Sequence, residues 1–200
     1  MQKKNHINPI PSEWKEDIRE AVNVMNRGGV ILYPTDTIWG IGCDATNEAA
    51  VKKVFDIKQR IDTKALIVMV DSEAKIESYV ETVPEVAWDL LEVTEKPLTI
   101  VYDKGKNLAH NLLGEDGSVA IRMTRESFSK ELCMRMKRAI VSTSANISGQ
   151  SAPTSFNDIP ESIKRSVDYI CRARQDEKSA PKASSIIKLG AGGVIQIIRE

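Results

Sequence analysis

Apolar residues recur every three to four positions in the first third of the chain, which predicts two amphipathic helices there. The first extends over 13–27 behind an N-cap at Ser12, and the second extends from an N-cap at Asn47 to Lys58. Further patterns of the same period predict helices over 72–80, 84–93 and 127–138, and residues 155–164 are expected to be partly helical around Pro160. The inward-facing residues of the two stronger helices are Trp14, Ile18, Ala21, Val22, Met25, Ala50, Val51, Val54 and Phe55.

Short apolar runs between these helices are typical of strands. They cover 30–33, 37–43, 65–70, 98–102, 119–123, 140–142 and 167–171. Two β-branched runs around a glycine-rich turn at 190–193 predict a hairpin over 184–199. Because helices and strands alternate early and strands follow strands late, we expect an α/β protein of mixed α+β character, with helices packed on a mixed sheet.

Composition narrows the class of protein. With 200 residues, 42% hydrophobic and 28% charged, the chain is expected to form one domain over 1–200. The formal net charge is zero, so a nucleic-acid or phosphate site would have to be a local cluster of cations. Cys43, Cys133 and Cys171 have neither metal nor disulfide spacing, and we find no signal peptide or membrane-length apolar run. We therefore expect a cytoplasmic protein with reduced thiols, no metal site and no membrane partner.

A polar turn follows the first predicted strand. It contains Thr35, Asp36 and Thr37, and the next predicted helix closes on two cations, Lys58 and Arg60. Hydroxyls beside a cationic helix end are suited to an anion-binding cleft. The same residue types also suit an ordinary turn and an ordinary helix C-terminus, and we interpret Asp36 as a turn residue.

A second polar stretch, S-T-S-A-N-I-S-G at 142–149, follows another predicted strand. Its four hydroxyls and one carboxamide within seven residues can hold phosphate oxygens or a nucleobase edge, or can form a simple polar loop. Arg122 lies in a predicted buried strand and needs either a salt-bridge partner or an anionic ligand, since an unpaired buried charge is costly. These residues predict a cleft for a small ligand that carries phosphate or carboxylate.

Other motifs are excluded on context. G-I-G-C-D-A at 40–45 fits a loose dinucleotide pattern, but a polar turn interrupts its approach and the best helix cap lies beyond it. The sequence has no G-x-x-x-x-G-K-[ST] motif and no catalytic-triad spacing. His6 and His110 lack carboxylate or cysteine partners at useful spacing and are expected on the surface.

Five motifs occur in a characteristic order along the chain. They are P-T-D-T-I-W-G-I-G-C-D-A at 34–45, K-Q-R at 58–60, P-L-T-I-V at 97–101, V-A-I-R at 119–122 and S-T-S-A-N-I-S-G at 142–149. As an ordered set they resemble the YrdC/TsaC family of threonylcarbamoyl-AMP synthases. The resemblance covers 28–199 and leaves 1–11 as an N-terminal extension. It implies a single YrdC-like domain, in which a twisted open mixed sheet with flanking helices surrounds a large positive cavity.

The implied activity is nucleotidyl transfer. L-Threonine, bicarbonate and ATP, with Mg²⁺, would give L-threonylcarbamoyladenylate and pyrophosphate, for use by the tRNA threonylcarbamoyl transferase machinery. Direct contact with tRNA or double-stranded RNA is a further implication. The matched ATP-binding residues are Lys58, Arg60, Ser144, Asn146 and Arg199, of which Lys58 and Arg60 are the expected catalytic residues. The matched threonine-binding residues are Thr35, Arg122 and Ser184.

The sequence also departs from the family pattern. T-E-K at 94–96 replaces the W-P-G common before P-L-T, Ile61 replaces a proline, and Met69 stands where longer members tend to carry a histidine. YciO-like paralogues tend to lose the K-x-R and S-A-N residues that this chain keeps, which favours the synthase. The altered segment at 94–96 keeps two alternatives open: a YciO-like paralogue, or an RNA- or nucleotide-binding protein with a different reaction or none.

Overall fold

The computed structural model describes residues 10–59, 66–177, 183–190 and 194–200. Six α-helices lie within these residues: α1 Ser12–Asn26, α2 Glu48–Lys58, α3 Glu73–Tyr79, α4 Glu85–Val93, α5 Ser127–Met136 and α6 Glu161–Ser166. The strands are β1 Ile31–Tyr33, β2 Gly40–Gly42, β3 Ile67–Val70, β4 Leu98–Tyr102, β5 Val119–Met123, β6 Ile140–Ser144, β7 Tyr169–Ile170, β8 Ser185–Leu189 and β9 Ile195–Arg199. A short 3₁₀ helix covers His110–Leu112.

The strands form one open sheet in the order β7-β1-β2-β6-β3-β5-β4-β8-β9. Three neighbouring pairs are parallel, namely β1 with β7, β3 with β5 and β4 with β8, and the other pairs are antiparallel. The mixed α/β fold with helices on an open mixed sheet, predicted from the sequence, is confirmed.

Each face of the sheet carries its own apolar core, because successive strand residues project to opposite faces. On β3, Val68 and Val70 pack into one core, which also receives apolar residues of α2, α3 and α4. Met69 packs into the second core with Ile18 of α1 and Phe128 of α5. Strands β1 and β3 are apolar on both faces because both faces of the sheet are covered there, whereas β9 is exposed along its length.

Several element boundaries follow the sequence closely. Asn47 caps α2 by accepting a hydrogen bond from the backbone N–H of Ala50 at 3.1 Å, as predicted. The bounds of β4 and β5 also agree with the predicted runs. The β8–β9 hairpin is present as a strand pair, and the predicted turn at 190–193 lies largely outside the described residues.

Three local predictions are wrong. Ser12 lies inside α1 and does not cap it, since Pro11 occupies the N-cap and the Ser12 hydroxyl contacts Glu13 Oε2 at 3.4 Å. The strand predicted over 37–43 is only Gly40–Gly42, because the polar turn occupies the preceding residues. The strand predicted to end at residue 142 continues to Ser144, because its last residues pair with β2.

The three cysteines are buried as free thiols, which agrees with the expectation of reduced side chains. Burial raises the pKa of each thiol well above its ordinary value, so none is poised as a thiolate. Among the described residues, no helix has the length and apolar character needed to cross a bilayer.

Candidate functional site

The sheet register places several of the predicted site residues in one row. Arg122 on β5 pairs with Met69 on one side and with Thr99 on the other. Thr99 pairs with Ile186, which in turn pairs with Arg199 at the end of β9. Direct cross-strand partners project from the same face. The row therefore brings two arginines from opposite ends of the sequence to one face of the sheet.

Arg122 is buried, with 4% of its side chain exposed. Its Nη1 donates to Thr37 Oγ1 at 2.7 Å, and its Nη2 lies 3.4 Å from Ser142 Oγ and 3.3 Å from Asp36 Oδ1. Its Nε makes no hydrogen bond to any described residue. A guanidinium held mainly by hydroxyls, with one donor left over, is suited to receiving an anionic group.

Thr35 shapes the turn that delivers these groups. Its buried hydroxyl donates to the carbonyl oxygen of Ile38 at 2.8 Å and accepts from the backbone N–H of Thr37 at 3.0 Å. The two threonine hydroxyls are also 3.0 Å apart. These bonds hold Thr37 toward Arg122, so Thr37, which the sequence analysis named only as a turn residue, contacts the guanidinium directly.

Ser184 joins the row immediately before β8. Its hydroxyl lies 2.8 Å from Thr99 Oγ1, and both hydroxyls are buried. The Nε and Nη2 of Arg199 donate to the Ser184 carbonyl oxygen at 3.0 and 2.7 Å. Arg199 is exposed on β9, and partial desolvation of its guanidinium, followed by the charge of Arg122, lowers its pKa. The two guanidinium groups therefore repel each other across a strip of hydroxyls, a field that favours an anion between them.

Lys58 forms a second cluster at the end of α2. Only 3% of its surface is exposed, and its Nζ donates to the carbonyl oxygens of Ser144 and Asn146 at 2.6 and 2.8 Å. The Asn146 Oδ1 is a further acceptor at 3.4 Å. Gln59 ends the helix in the left-handed region, with φ of 50°. Lys58 therefore ties the S-T-S-A-N segment to the helix.

The carboxamide of Asn146 reinforces this tie. Its Nδ2 donates to the carbonyl oxygens of Ile147 and Gln150 at 3.0 and 2.7 Å. The backbone N–H of Ser148 also donates to the carbonyl oxygen of Lys58 at 3.0 Å. The segment that the sequence analysis identified as a polar loop is thus a strand end followed by a turn with fixed hydrogen bonds.

Arg122, Thr35, Asp36, Thr37, Thr99, Ser142, Ser184 and Arg199 are linked by the contacts above and form the Arg122 cluster. A cavity of about 130 Å³ opens beside this cluster. Asp36 contributes to its lining, and the 94–96 segment that departs from the family pattern forms another side. The cavity is mixed in charge, since it has three carboxylates and two cations. Its lining residues are Asp36, Leu91, Thr94, Glu95, Lys96, Pro97, Leu98, Met123, Arg125 and Glu126.

The two clusters meet on β6. Ser142 contacts Arg122, and two residues further along the strand Ser144 accepts from Lys58. Thr35, Ser184 and Arg199 belong to the Arg122 cluster through the contacts above, and Asn146 belongs to the Lys58 cluster. Arg60 lies outside the described residues. No group of three or more potential metal-ligating side chains occurs within the described parts of the chain, and His110 is exposed on the surface.

Sequence comparison finds relatives over most of the chain. Residues 23–200 match the Sua5_yciO_yrdC family, described as "Telomere recombination". A threonylcarbamoyl-AMP synthase of Idiomarina loihiensis is 32% identical over 157 residues, which are 77% of this chain and 84% of the relative. A protein of the same name from Acinetobacter baumannii is 29% identical over 186 residues, which are 90% of this chain and 97% of the relative.

Structural comparison finds the same fold. The Sua5 protein of P. abyssi, solved in complex with L-threonine, has a TM-score of 0.82 and 28% identity. The match covers 96% of this chain but only 55% of the Sua5 chain, so this chain spans little more than half of that protein. YciO of E. coli has a TM-score of 0.82 at 24% identity, covering 96% of this chain and 91% of YciO, and this likeness concerns the fold alone.

Proposed function

The chain belongs to the Sua5/YciO/YrdC family, and from this membership we propose that it is an L-threonylcarbamoyladenylate synthase. It would convert L-threonine, bicarbonate and ATP into threonylcarbamoyl-AMP and pyrophosphate. The single observation that carries the proposal is the Arg122 cluster, a buried guanidinium with an unused Nε beside a strip of hydroxyls and a second arginine. The relatives named as synthases and the Sua5 complex with L-threonine support it.

The Arg122 cluster is suited to the amino acid. The planar guanidinium matches a carboxylate in a bidentate pair. The hydroxyls of Thr35, Thr37 and Ser184 are suited to hydrogen bonds with the polar groups of a bound amino acid. Each of them lies within hydrogen-bond distance of another hydroxyl, which can rotate when a ligand binds. We therefore assign the threonine site to Thr35, Arg122 and Ser184, with Thr37 added.

The Lys58 cluster is suited to ATP. Attack of a carbamate oxygen on the α-phosphorus, with pyrophosphate leaving, needs alignment and charge neutralisation more than a dedicated base. Lys58, with Arg60 beyond the described residues, would supply positive charge, and Ser144 and Asn146 would contact the nucleotide. Arg199 lies in the Arg122 cluster, and from the end of the last strand it would reach the nucleotide from that side. In the absence of a protein cage among the described residues, Mg²⁺ would be held mainly by the triphosphate.

A second candidate function rests on the altered 94–96 segment. It forms one side of the cavity, where Glu95 and Lys96 replace an apolar residue and glycine of the family pattern. Such a change in a cavity lining can change the acceptor, as in a YciO-like paralogue with a different reaction or none. An RNA contact is a lesser proposal, and with a net charge of zero it would depend on local cations and weaken steeply with salt.

Pyrophosphate release from ATP tests the leading proposal. The purified chain is incubated with ATP and Mg²⁺ in bicarbonate buffer, with and without L-threonine. Release that requires both threonine and bicarbonate is expected of the synthase. Release that requires a different amino acid would favour a YciO-like paralogue over the synthase. No release from a protein that still binds ATP would contradict synthase activity. Transfer to tRNA by the downstream machinery would be examined only after the first result.

A further inference from the structure

Asp36 has an unusual environment for a turn residue. It lies between Thr35 and Thr37, and its Oδ1 is 3.3 Å from Arg122 Nη2. This oxygen is enclosed, yet it accepts no hydrogen bond from any described residue. Buried carboxylate oxygens in proteins nearly always accept at least one hydrogen bond. The side chain as a whole is 15% exposed and contributes to the lining of the cavity.

The charges around Asp36 explain why it needs a further partner. Burial raises the pKa of Asp36 despite the charge of Arg122, with Glu126 raising it further, and with the residue's own backbone N–H and Arg174 lowering it. Glu126 and Arg174 are already paired with each other, with Oε1 and Nη1 3.3 Å apart. They largely offset one another, so Arg122 and Asp36 remain as adjacent positive and negative groups that are each incompletely hydrogen-bonded.

We propose that Asp36 binds the α-ammonium group of the amino acid whose carboxylate pairs with Arg122, so that this site selects a zwitterion. The inference rests on the proposed function, because it deepens the assignment of the Arg122 cluster to an amino acid. In an α-amino acid the two charged groups are separated by one carbon atom. A cation and a carboxylate 3.3 Å apart therefore offer the opposite charges at the matching spacing.

The proposal also explains how the site discriminates between anions. An arginine alone would attract any carboxylate or phosphate, including the triphosphate of ATP. The negative charge of Asp36 disfavours a second anion that brings no cation of its own. Asp36 would thus reserve Arg122 for the amino acid, while the triphosphate would be directed toward Lys58.

The test compares two ligands on three proteins. L-Threonine and (R)-3-hydroxybutyrate, which is threonine without its amino group, are titrated calorimetrically into the wild-type chain and into the Asp36→Asn and Asp36→Glu variants. The wild type is expected to prefer threonine. The loss of one charge-assisted hydrogen bond should weaken threonine binding to Asp36→Asn by about tenfold or more, while hydroxybutyrate binding stays the same or improves. Asp36→Glu keeps the charge and should retain part of the preference.

The pH dependence gives a readout that a merely structural role would not produce. A protonated Asp36 cannot pair with an ammonium group, so threonine affinity of the wild type should fall as the pH is lowered through the raised pKa of Asp36. The Asp36→Asn variant should lack this fall. Charged neighbours facing Asp36, namely Arg122, Glu126 and Arg174, are unchanged in that variant and serve as an internal control.

Asp44→Asn is the matched control, because Asp44 is also a buried aspartate paired with an arginine, its Oδ2 lying 2.8 Å from Arg138 Nε. It should lose stability without losing the preference for threonine.

If the wild type binds neither amino acids nor ATP, the proposed function itself fails. If the wild type binds threonine and Asp36→Asn binds it equally or more tightly, Asp36 is an internal competitor for Arg122, and only this inference is overturned. Should Asp36→Asn not fold, the Asp36→Glu variant and the wild-type pH profile decide.

Discussion

Lys58 and Arg122 are both buried cations, and the protein compensates their charges with different groups. Each is less than 5% exposed, and a buried charge must be compensated by the protein. Lys58 donates to two backbone carbonyl oxygens, whose positions the fold fixes. Arg122 is compensated by the Thr37 and Ser142 hydroxyls and a loosely placed carboxylate, and its Nε has no described partner.

The difference separates two kinds of contribution to a site. A cation tied to carbonyl oxygens orders the backbone around it, so Lys58 shapes the Ser144–Asn146 segment even without a ligand. A cation held by hydroxyls can exchange them for ligand oxygens, because a hydroxyl rotates and can either donate or accept. We therefore expect Lys58 variants to affect both stability and turnover, and Arg122 variants to act chiefly on amino-acid binding.

The largest effect is expected from Lys58→Ala. It would remove a charge from the proposed ATP site and take the Lys58 donor from the buried carbonyl oxygen of Asn146, whereas the carbonyl oxygen of Ser144 would still accept from the backbone N–H of Asn146 at 2.9 Å. Pyrophosphate release should fall by about 10²-fold or more, as when one preorganised charge-stabilising donor is removed from a catalytic site. Unfolding in urea should show a loss of about 1–3 kcal/mol for the Asn146 carbonyl left without the Lys58 donor.

Lys52→Ala is the control for Lys58→Ala, since it lies on the same helix with 71% of its side chain exposed and an i,i+4 partner in Asp56. Lys52→Ala should lose only about 0.5 kcal/mol of stability, and its turnover should be unchanged. Turnover of Lys58→Ala at the wild-type rate would remove Lys58 from the catalytic assignment and leave it with a structural role.

The next effect in size is expected from Arg122→Lys. The charge is kept but the planar fork is lost, so a carboxylate can no longer bind in a bidentate manner. The KM for threonine should rise by about tenfold or more, the equivalent of one charged hydrogen bond, while the KM for ATP stays close to the wild-type value. Steady-state kinetics with each substrate varied in turn would measure this split.

Arg138→Lys is the matched control for Arg122→Lys. Arg138 also pairs with an aspartate, but it lies just before β6, whose opposite end carries Ser144. Its threonine KM should be unchanged. A rise in the ATP KM of Arg122→Lys equal to the rise for threonine would mean that the two clusters do not divide the substrates as proposed.

A smaller effect is expected from Ser184→Ala. This change would remove the hydroxyl that lies 2.8 Å from Thr99 Oγ1, while the backbone carbonyl that holds Arg199 would remain. The loss of one neutral hydrogen bond, about 0.5–1.5 kcal/mol, should raise the threonine KM by a factor of about two to ten. Ser185→Ala, one residue later in β8, is the control. An equal change in both variants would indicate a disturbed strand and no specific contact.

The sequence predicts helix caps and strand bounds well where they depend on neighbouring residues. The Asn47 cap, the bounds of β4 and β5 and the terminal strand pair all depend on neighbouring residues, and each is found. The Ser12 cap failed because Pro11 competes for the N-cap position, which the local pattern did not resolve.

The site is only partly visible in the sequence, because its decisive contacts are long-range. Thr37 and Arg122 are 85 residues apart, and so are Thr99 and Ser184. Asp36 has the composition of a turn residue, and only the fold brings it against Arg122. Lys58 was predicted as a charge at a helix end, yet its burial against Ser144 and Asn146 depends on a strand more than 80 residues later. The sequence analysis named most residues of the two clusters, but not how these residues divide between them.

The smallest effect on turnover is expected from Asn47→Ala. This variant tests whether the effect of Lys58→Ala comes from the ammonium group or from a weakened α2. Asn47 caps the opposite end of α2 from Lys58, and its loss should cost about 1 kcal/mol of stability. Because the carbonyl oxygens around Lys58 are untouched, pyrophosphate release by the folded protein should stay at the wild-type rate. Urea unfolding and turnover would be measured on the same preparation. If turnover falls in step with stability, the loss in Lys58→Ala could be assigned to a weakened helix, whereas unchanged turnover would leave the ammonium group of Lys58 as the cause.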